Sequence, residues 1–202
     1  MKWQQDLVRD IRTHTEFDDQ DGPNFSVPHL EGRTWKEFSE CNKLALHERF
    51  LQVVDFAHSI LEIGVCRNNE ESSTHVFLKN KKKKTFYVGI DLDDKSYLDD
   101  QENNVYTIKN SSSNIDENIK IIAELGITNF DFILIDGWHS INQVLIDWEY
   151  TRWLSPRGIV AFHDTQAHPG PVEFLNALNT DKWKVVKNVC RYDNGIGFVW
   201  PK

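Results

Sequence analysis

The chain has 202 residues, a length typical of one domain, and its 40% hydrophobic and 27% charged residues are those of a globular protein, which excludes a disordered chain. Because 31 acidic residues outnumber 23 basic ones, the formal net charge of -8 disfavours nonspecific binding to nucleic acids. The three cysteines are widely spaced and form no C-x-x-C pair, which predicts a reducing, cytoplasmic environment. With no long apolar stretch and no apolar leader, we predict a soluble protein that does not enter a membrane.

Short apolar runs alternate with helical segments along most of the chain. Each of five runs is nearly continuous in Val, Ile, Leu and Phe, as expected for parallel strands that are covered on both faces. These runs span residues 59–65, 85–91, 104–109, 130–137 and 158–164. Apolar residues at helical spacing predict helices over residues 35–56, 72–80, 115–125 and 141–154. This alternation is typical of βαβ units.

The two ends of the chain depart from the alternation. Residues 183–189 and 195–201 are strand-like, and the short connection between them ends in Asn194-Gly195, which predicts a closing antiparallel pair. We predict that residues 1–57 form an N-terminal helical cap over one side of the sheet or the mouth of the site. Residues 58–202 are predicted to form the main domain. We therefore predict an α/β, Rossmann-like fold with a seven-stranded, mostly parallel sheet and helices on both faces.

The carboxyl ends of the strands are where such sheets bind ligands. Glu62 and Gly64 close the first predicted strand, and Asp91 closes the second, where a carboxylate can accept hydrogen bonds from the hydroxyls of a ribose. This pattern indicates an adenosine-containing ligand. Gly64 is followed by the bulky residues 67–69, so the close backbone approach that a pyrophosphate requires is missing, which disfavours NAD and FAD.

A more specific pattern follows in the second half of the chain. It comprises I-D-G-W-H-S at residues 135–140, an aspartate at 147, L-S-P-R-G-I-V-A-F-H-D-T at 154–165, P-G-P at 169–171 and N-G-I-G-F-V at 194–199. Together with E-I-G at 62–64 and G-I-D at 89–91, this pattern resembles the class I S-adenosylmethionine-dependent methyltransferases. Within that superfamily the chain is most similar to the family of sugar and small-molecule O-methyltransferases and cephalosporin hydroxylase-like proteins. The resemblance covers roughly residues 59–200.

The resemblance implies that S-adenosylmethionine is the cofactor and that the reaction is methylation of a hydroxyl on a sugar or other small molecule. By position, Glu62 and Gly64 would shape the turn that receives the aminocarboxylate, and Asp91 would bind the ribose. The adenine would lie near Ser111 and Ser112. These cofactor-binding assignments are completed by Asp136 at the end of the fourth predicted strand.

The resemblance also implies a divalent metal, magnesium or manganese, held by Asp136, His163 and Asp164. His139, assisted by Asp136, would be the catalytic base that removes the proton of the acceptor hydroxyl. The chain departs from the family at two of these places. Trp138 stands where sugar O-methyltransferases carry a second aspartate, and His163 stands where relatives carry the first of two adjacent aspartates.

Simpler interpretations remain open for several of these residues. Asp136 could cap the helix that follows it, and His139 or His163 could be structural. Asp147 would most simply face solvent or pair with Arg152. His168 would lie in a Pro-Gly loop over the site, within reach of a substrate.

Two other functional classes also remain open. One is a methyltransferase-like fold without transfer activity that serves as a binding or scaffolding protein in glycan assembly. The other is a metal-dependent hydroxylase or hydrolase, whose site would use Asp136, His139, His163 and Asp164, since two histidines and a carboxylate can hold iron. The predicted partner is a small-molecule or saccharide acceptor, with no nucleic acid and no membrane, and a homo-oligomer is left open.

Overall fold

A computed structural model describes residues 2–11, 35–66, 72–166, 168–187, 189–190 and 194–202. Its α-helices are Trp35–Leu51 (α1), Ser73–Asn80 (α2), Ile115–Glu124 (α3), Ile141–Trp148 (α4) and Pro169–Ala177 (α5). Its strands are Ser59–Ile63 (β1), Phe86–Asp91 (β2), Val105–Lys109 (β3), Phe130–Ile135 (β4), Leu154–His163 (β5), Trp183–Val186 (β6) and Ile196–Pro201 (β7). Short 3-10 helices span Lys2–Gln5, Ser96–Leu98, Gln101–Asn103 and Glu149–Trp153.

The seven strands form one mixed sheet in the order β3-β2-β1-β4-β5-β7-β6. The first five strands in the chain are parallel, and β7 pairs antiparallel with both β5 and β6. This arrangement confirms the predicted sheet and its closing antiparallel pair. Because strand order reverses between β1 and β4, a crevice opens at the carboxyl ends of these two central strands, where ligands of open α/β sheets bind.

Each face of the sheet carries its own apolar core, because successive side chains of a strand point to opposite faces. On β4, Phe132 contributes to the core beneath α1 and α2, whereas Ile133 contributes to the core beneath α4 and α5. Phe132 makes edge-on aromatic contacts with Phe50 of α1 and Phe77 of α2, at centroid distances of 5.7 and 5.4 Å. The helix α1 is therefore packed directly onto the sheet. The predicted cap residues 12–34 lie outside the described part of the chain.

Some helix boundaries differ from the predictions. The first helix ends at Leu51 rather than at 56, and the predicted helix over 141–154 divides into α4 and a 3-10 helix, Glu149–Trp153. Ser140 fixes the start of α4, since its hydroxyl accepts a hydrogen bond from the Gln143 backbone N–H at 3.2 Å. None of the helices in the described part of the chain is both long enough and apolar enough to span a bilayer.

The helix α5 differs from the sequence prediction, which places Pro169-Gly170-Pro171 in a loop. Proline is compatible with the first turn of a helix, where its missing N–H is not needed. Gly170 packs against the loop after β4, where its N–H donates to the His139 carbonyl at 2.9 Å. A Cβ on Gly170 would lie 2.4 Å from the same carbonyl oxygen, so only glycine permits this approach. The contact brings the start of α5 beside the ends of β4 and β5.

Candidate functional site

The turn after β1 lies directly against the exit of β4. Gly64 has a φ of +83°, and a Cβ added to it would lie 2.1 Å from the carbonyl oxygen of Asp136. The Asp136 N–H donates to the Ile63 carbonyl at 2.8 Å, and the Gly64 N–H donates to the Ile90 carbonyl at 2.9 Å. Both the left-handed conformation and the close approach require glycine here. The sequence analysis predicts that Gly64 lies in a ligand-binding turn. In the structure this turn lies at the crevice between the carboxyl ends of β1 and β4.

Asp91 joins the loops that follow β1 and β2. Its Oδ2 accepts a hydrogen bond from the Val65 N–H at 2.8 Å, and its Oδ1 accepts one from the Asp93 N–H at 2.8 Å. Each carboxylate oxygen has a further acceptor site, so both remain able to accept a ligand hydroxyl. Residues 67–71, which continue the turn after β1 and include Arg67, lie outside the described residues.

Glu62 lies inside β1 rather than at its end, and its side chain is fully buried. Its Oε2 accepts a hydrogen bond from the Tyr87 hydroxyl, and its Oε1 accepts one from the Ser73 hydroxyl at 3.0 Å. Burial raises the pKa of Glu62 to about 8, although the bonds from Tyr87 and neighbouring hydroxyls oppose the shift. Since Ser73 opens α2, Glu62 ties this helix to β1 beneath the turn that contains Gly64.

The two serines after β3 are linked to helices rather than to the ends of β4 and β5, Ser111 to α3 and Ser112 to α4 and the 3-10 helix after it. The Ser112 hydroxyl accepts a hydrogen bond from Gln143 Nε2 at 2.9 Å, and the Ser112 carbonyl accepts one from the Tyr150 hydroxyl at 2.8 Å. The Ser111 carbonyl accepts one from Asn118 Nδ2 at 2.9 Å. This network fixes the loop after β3, and the Ser111 and Ser112 assignments to the adenine remain predictions.

Asp147 was predicted to face solvent or to pair with Arg152, and both alternatives are wrong. The Asp147 side chain is fully buried, and its Oδ1 accepts a hydrogen bond from Gln143 Nε2 at 2.9 Å. Arg152 instead forms an ion pair with Glu149 at 3.7 Å. Asp147 shares the inward stripe of α4 with its apolar neighbours, and burial raises its pKa to about 6.

The ends of β4 and β5 bring together the three residues that were predicted to bind a metal. His163 Nδ1 lies 3.1 Å from Asp136 Oδ1 and 3.0 Å from Asp164 Oδ1. One ligand atom from each of these residues lies within 4.8 Å of the other two, a spacing at which all three can hold one ion. Asp164 has a φ of 55°, and this left-handed conformation, uncommon outside glycine, turns the chain sharply at the end of β5.

Two further histidines lie on the other side of Asp164. Oδ2 of Asp164 lies 3.4 Å from Nδ1 of His139 and 3.6 Å from Nε2 of His168. The two imidazole rings are stacked, with centroids 4.9 Å apart and planes inclined by 10°. The other nitrogen of His139, Nε2, lies 3.5 Å from Asp136 Oδ1, so His139 stands between the two carboxylates. Together with Asp136, His163 and Asp164, these histidines form what we call the Asp-His cluster.

Asn42 of α1 is a member of the site that the sequence did not indicate. Its side-chain Nδ2 lies 2.8 Å from Nε2 of His163, and the residue is only 4% exposed. No local motif marks this position, since the contact joins residues that are 121 positions apart. His168 also belongs to the site, because the packing of α5 places it against His139 and Asp164.

Electrostatic interactions within the cluster favour its charged forms. Burial opposes the ionisation of His163, but the carboxylates of Asp136 and Asp164 outweigh it and raise the pKa of His163 well above its usual range. Burial likewise opposes the ionisation of Asp164, yet the charge of His163 holds the pKa of Asp164 well below its usual range. The pKa of Asp136 is lowered in the same way, again against burial. The cluster therefore favours two ionised carboxylates, Asp136 and Asp164, around a positively charged His163.

The donor set is suitable for a divalent cation. It offers two carboxylates and three imidazoles at one edge of the sheet. Nε2 of His139 is buried without a hydrogen-bond partner in the described ranges of the chain. Buried polar atoms that lack partners are costly, which indicates that a further group completes this site. The residues present thus fit a metal ion held between β4 and β5.

Solved structures similar to this one include several methyltransferases. The MycE methyltransferase of the mycinamycin pathway, solved with Mg and S-adenosylhomocysteine, is 18% identical, with a TM-score of 0.56 over 78% of this chain and 49% of that chain. The calicheamicin methyltransferase CalS11 is 14% identical, with a TM-score of 0.51 over 68% of this chain and 70% of its own. SMU.1697c, a putative methyltransferase from Streptococcus mutans solved with S-adenosylhomocysteine, is 13% identical, with a TM-score of 0.54 over 78% of this chain and 95% of its own.

These similarities establish the fold alone, a Rossmann-like α/β fold that this chain shares with those methyltransferases. The aligned part of this chain spans about half the length of the MycE chain. No protein-family model matches the sequence, and a search of curated proteins finds no match.

Proposed function

We propose that the protein is an S-adenosylmethionine-dependent methyltransferase that methylates a hydroxyl group of a small molecule or saccharide with the help of a divalent cation. One observation carries this proposal. In a sheet with the methyltransferase strand order, the Gly64 turn, the Asp91 carboxylate and the Asp-His cluster all lie at the carboxyl ends of the strands.

The cofactor would occupy the crevice over β1 and β2. Gly64 lets the backbone of the first turn approach β4 closely, which leaves room above it for the methionine part. Asp91 is already oriented by two backbone N–H groups, so binding a ribose requires no reorganisation of its carboxylate. Asp136 borders this crevice through its backbone and the reaction side through its carboxylate. Ser111 and Ser112 are proposed to border the adenine.

Methyl transfer is an in-line displacement at the methyl carbon of a sulfonium, and the protein must align the attacking oxygen and remove its proton. His139 is the proposed base, because it stands between the carboxylates of Asp136 and Asp164, which orient the imidazole and stabilise its protonated form. A divalent cation held by Asp136, His163 and Asp164 would polarise the acceptor hydroxyl and so favour its deprotonation. The acceptor oxygen is itself the nucleophile, so the mechanism needs no nucleophilic side chain from the protein.

The acceptor is proposed to bind beside Trp138. This side chain directly precedes His139 and is 53% exposed, which is unusual for so large an apolar group. An exposed indole beside a catalytic histidine can stack on the apolar face of a sugar or another ring. Residues 1–57 are proposed to cap this side of the site, and the formal charge of -8 favours a small molecule over a nucleic acid.

A second candidate function keeps the metal but not the cofactor. The cluster contains three imidazoles beside its two carboxylates, and a cation that prefers oxygen ligands does not need these nitrogen donors. Two histidines and one carboxylate are the metal ligands of many non-haem iron oxygenases. A metal-dependent hydroxylase or hydrolase would use the same cluster. It would not require Asp91 for binding, and this difference separates the two candidates.

Calorimetric titration of the full chain with S-adenosylhomocysteine tests the proposal. We expect micromolar binding that is lost in Asp91→Ala, because the ribose then loses its acceptor. Asp93→Ala is the matched control, since the Asp93 side chain is largely exposed and only its backbone N–H contacts Asp91. Binding that is unaffected by Asp91→Ala, or no binding at all, would reject the methyltransferase and favour the metal-dependent alternative.

A further inference from the structure

We propose that the Asp-His cluster selects a first-row transition-metal ion, such as manganese, iron, cobalt or zinc, over magnesium. This inference rests on the cation of the proposed function and specifies its chemical class. It is carried by the position of His163 between two carboxylates, by the contact of His163 with Asn42, and by the two imidazoles on the far side of Asp164.

His163 is placed so that an ion shared by the two carboxylates can also bind an imidazole. Its Nδ1 is 3.1 Å from Asp136 Oδ1 and 3.0 Å from Asp164 Oδ1, so all three atoms are close enough to bind the same ion. Magnesium demands near-octahedral oxygen coordination and keeps several waters. Imidazole nitrogen suits the later first-row metals instead. The first coordination sphere thus contains a donor that magnesium does not favour.

Asn42 holds the ring of His163 in the orientation that a ligand needs. The amide of Asn42 lies 2.8 Å from Nε2, while its Oδ1 is buried and has no hydrogen-bond partner among the residues that the structure describes. A rotation of this amide by half a turn exchanges its oxygen and nitrogen, and Nε2–H then donates to Oδ1. Once a metal ion displaces the other ring proton, the lone pair of Nδ1 is directed between the carboxylates. Metal-binding histidines are typically oriented by such a bond from the other ring nitrogen.

His139 and His168 add nitrogen donors on the second oxygen of Asp164. Their Nδ1 and Nε2 atoms lie 3.4 and 3.6 Å from Oδ2, whereas His163 lies beside Oδ1. With Asp164 they form a second group of three side chains whose ligand atoms lie within 4.8 Å of one another. Imidazole groups therefore lie beside both carboxylate oxygens of Asp164. An ion bound at either oxygen would replace some of its bound waters with histidine nitrogen atoms.

A competing interpretation is that protonated His163 alone neutralises the two carboxylates and that no metal binds. The two interpretations differ in what the protein does with added ions. Chelator-treated full chain is titrated separately with Co²⁺, Mn²⁺ and Mg²⁺ by calorimetry. The absorption spectrum of the Co²⁺ complex and the nitrogen hyperfine couplings of the Mn²⁺ complex are then recorded.

We expect Co²⁺ to bind at least about tenfold more tightly than Mg²⁺ and Mn²⁺ to show imidazole nitrogen couplings. His163→Asp replaces the imidazole with a carboxylate, so this variant should bind Mg²⁺ more tightly and Co²⁺ less tightly than the native chain. His47→Asp is the matched control, because His47 lies on α1 beside Asn80. Its preference should equal that of the native chain. If His163→Asp does not fold, the nitrogen couplings of the native protein still decide.

Equal affinity for Co²⁺ and Mg²⁺, absence of nitrogen couplings, or a metal preference unchanged in His163→Asp would overturn the inference. Titration with S-adenosylhomocysteine separates this failure from failure of the proposed function. If that ligand binds through Asp91 but the metal preference is absent, only the inference falls. If the metal preference is present but the ligand does not bind, the methyltransferase falls and the cation inference stands.

Discussion

Asn42 on the first helix and His163 at the end of the fifth strand are 121 residues apart in sequence, yet their side chains meet at 2.8 Å. The contact extends the site beyond the sheet and into the N-terminal segment. It means that the helix α1, which packs on β7 and α2, also orients a proposed metal ligand. The N-terminal segment is therefore part of the catalytic architecture that we propose.

Replacement of Asn42 with leucine should weaken binding of Co²⁺ by about 10–100-fold, the effect typical of losing the hydrogen bond that orients a metal-bound histidine. The leucine keeps the volume of the side chain but leaves Nε2 of His163 without a partner. Asn42→Asp should restore affinity, because its carboxylate can accept the same bond.

Asn80→Leu provides the control for Asn42, since it breaks a comparable Asn–His contact, Asn80 with His47 at 3.1 Å between α2 and α1, away from the cluster. Calorimetry of all three variants makes the comparison. Equal affinities in Asn42→Leu and Asn80→Leu would show that Asn42 does not orient the ligand.

Gly64→Ala should lower the free energy of unfolding more than Gly126→Ala does, and it should abolish binding of S-adenosylhomocysteine. The two glycines have nearly the same φ, +83° and +82°, so the left-handed backbone costs both alanines a similar amount, about 1–2 kcal/mol. Only at Gly64 does the new Cβ meet another atom, the Asp136 carbonyl at 2.1 Å, whereas nothing lies within 4 Å at Gly126. The difference between the variants isolates the steric cost at the site.

Denaturant titration of both glycine variants measures this difference, and calorimetry measures the ligand. A Gly64→Ala variant that is as stable as Gly126→Ala and still binds the ligand would contradict the close packing of the turn against β4. It would also remove the reason for assigning the cofactor to this crevice.

The strands and their mostly parallel pairing were predictable because buried parallel strands leave nearly continuous apolar runs, and the positions of Asp91, Asp136 and Asp164 followed from the ends of those runs. Contacts that depend on docking were not predictable. The helix α5 was missed because its proline-glycine start resembles a loop, and Gly170 is required by the approach to His139 rather than by any local turn. Asp147 was misplaced because a buried carboxylate on a helix stripe breaks the rule that charged side chains face water.

The fully buried Glu62 should make the fold less stable as the pH rises from about 4.5 to about 8. Its ordinary pKa of 4.5 is raised to about 8 in the folded protein, mainly by burial. Between these values the folded state retains a proton that the unfolded state has lost, so the stability present below pH 4.5 declines toward pH 8. The slope from this one group is at most about 1.4 kcal/mol per pH unit.

Glu62→Gln tests this dependence, because the amide keeps the shape of the protonated carboxyl but cannot ionise. The free energy of unfolding of the variant should match that of the native chain near pH 5 and exceed it at pH 8.5. Asp131→Asn is a suitable control, as Asp131 is also buried and accepts hydrogen bonds from His58 and Ser155. Parallel stability profiles for Glu62→Gln and the native chain would show that Glu62 is ionised in the folded protein at neutral pH.

His139→Gln should reduce kcat for methyl transfer by about 10²–10⁴-fold, the usual contribution of a general base, while leaving KM and binding of S-adenosylhomocysteine nearly unchanged. Glutamine keeps a polar group beside Asp136 and Asp164 but cannot take a proton from the acceptor. The assay follows transfer from S-adenosylmethionine to the acceptor found by screening sugars and other hydroxyl compounds. His47→Gln, on α1 beside Asn80 and outside the Asp-His cluster, should retain full activity. If His139→Gln also retains full activity, the proton leaves through another group, and Asp136 or Asp164 becomes the residue to replace next.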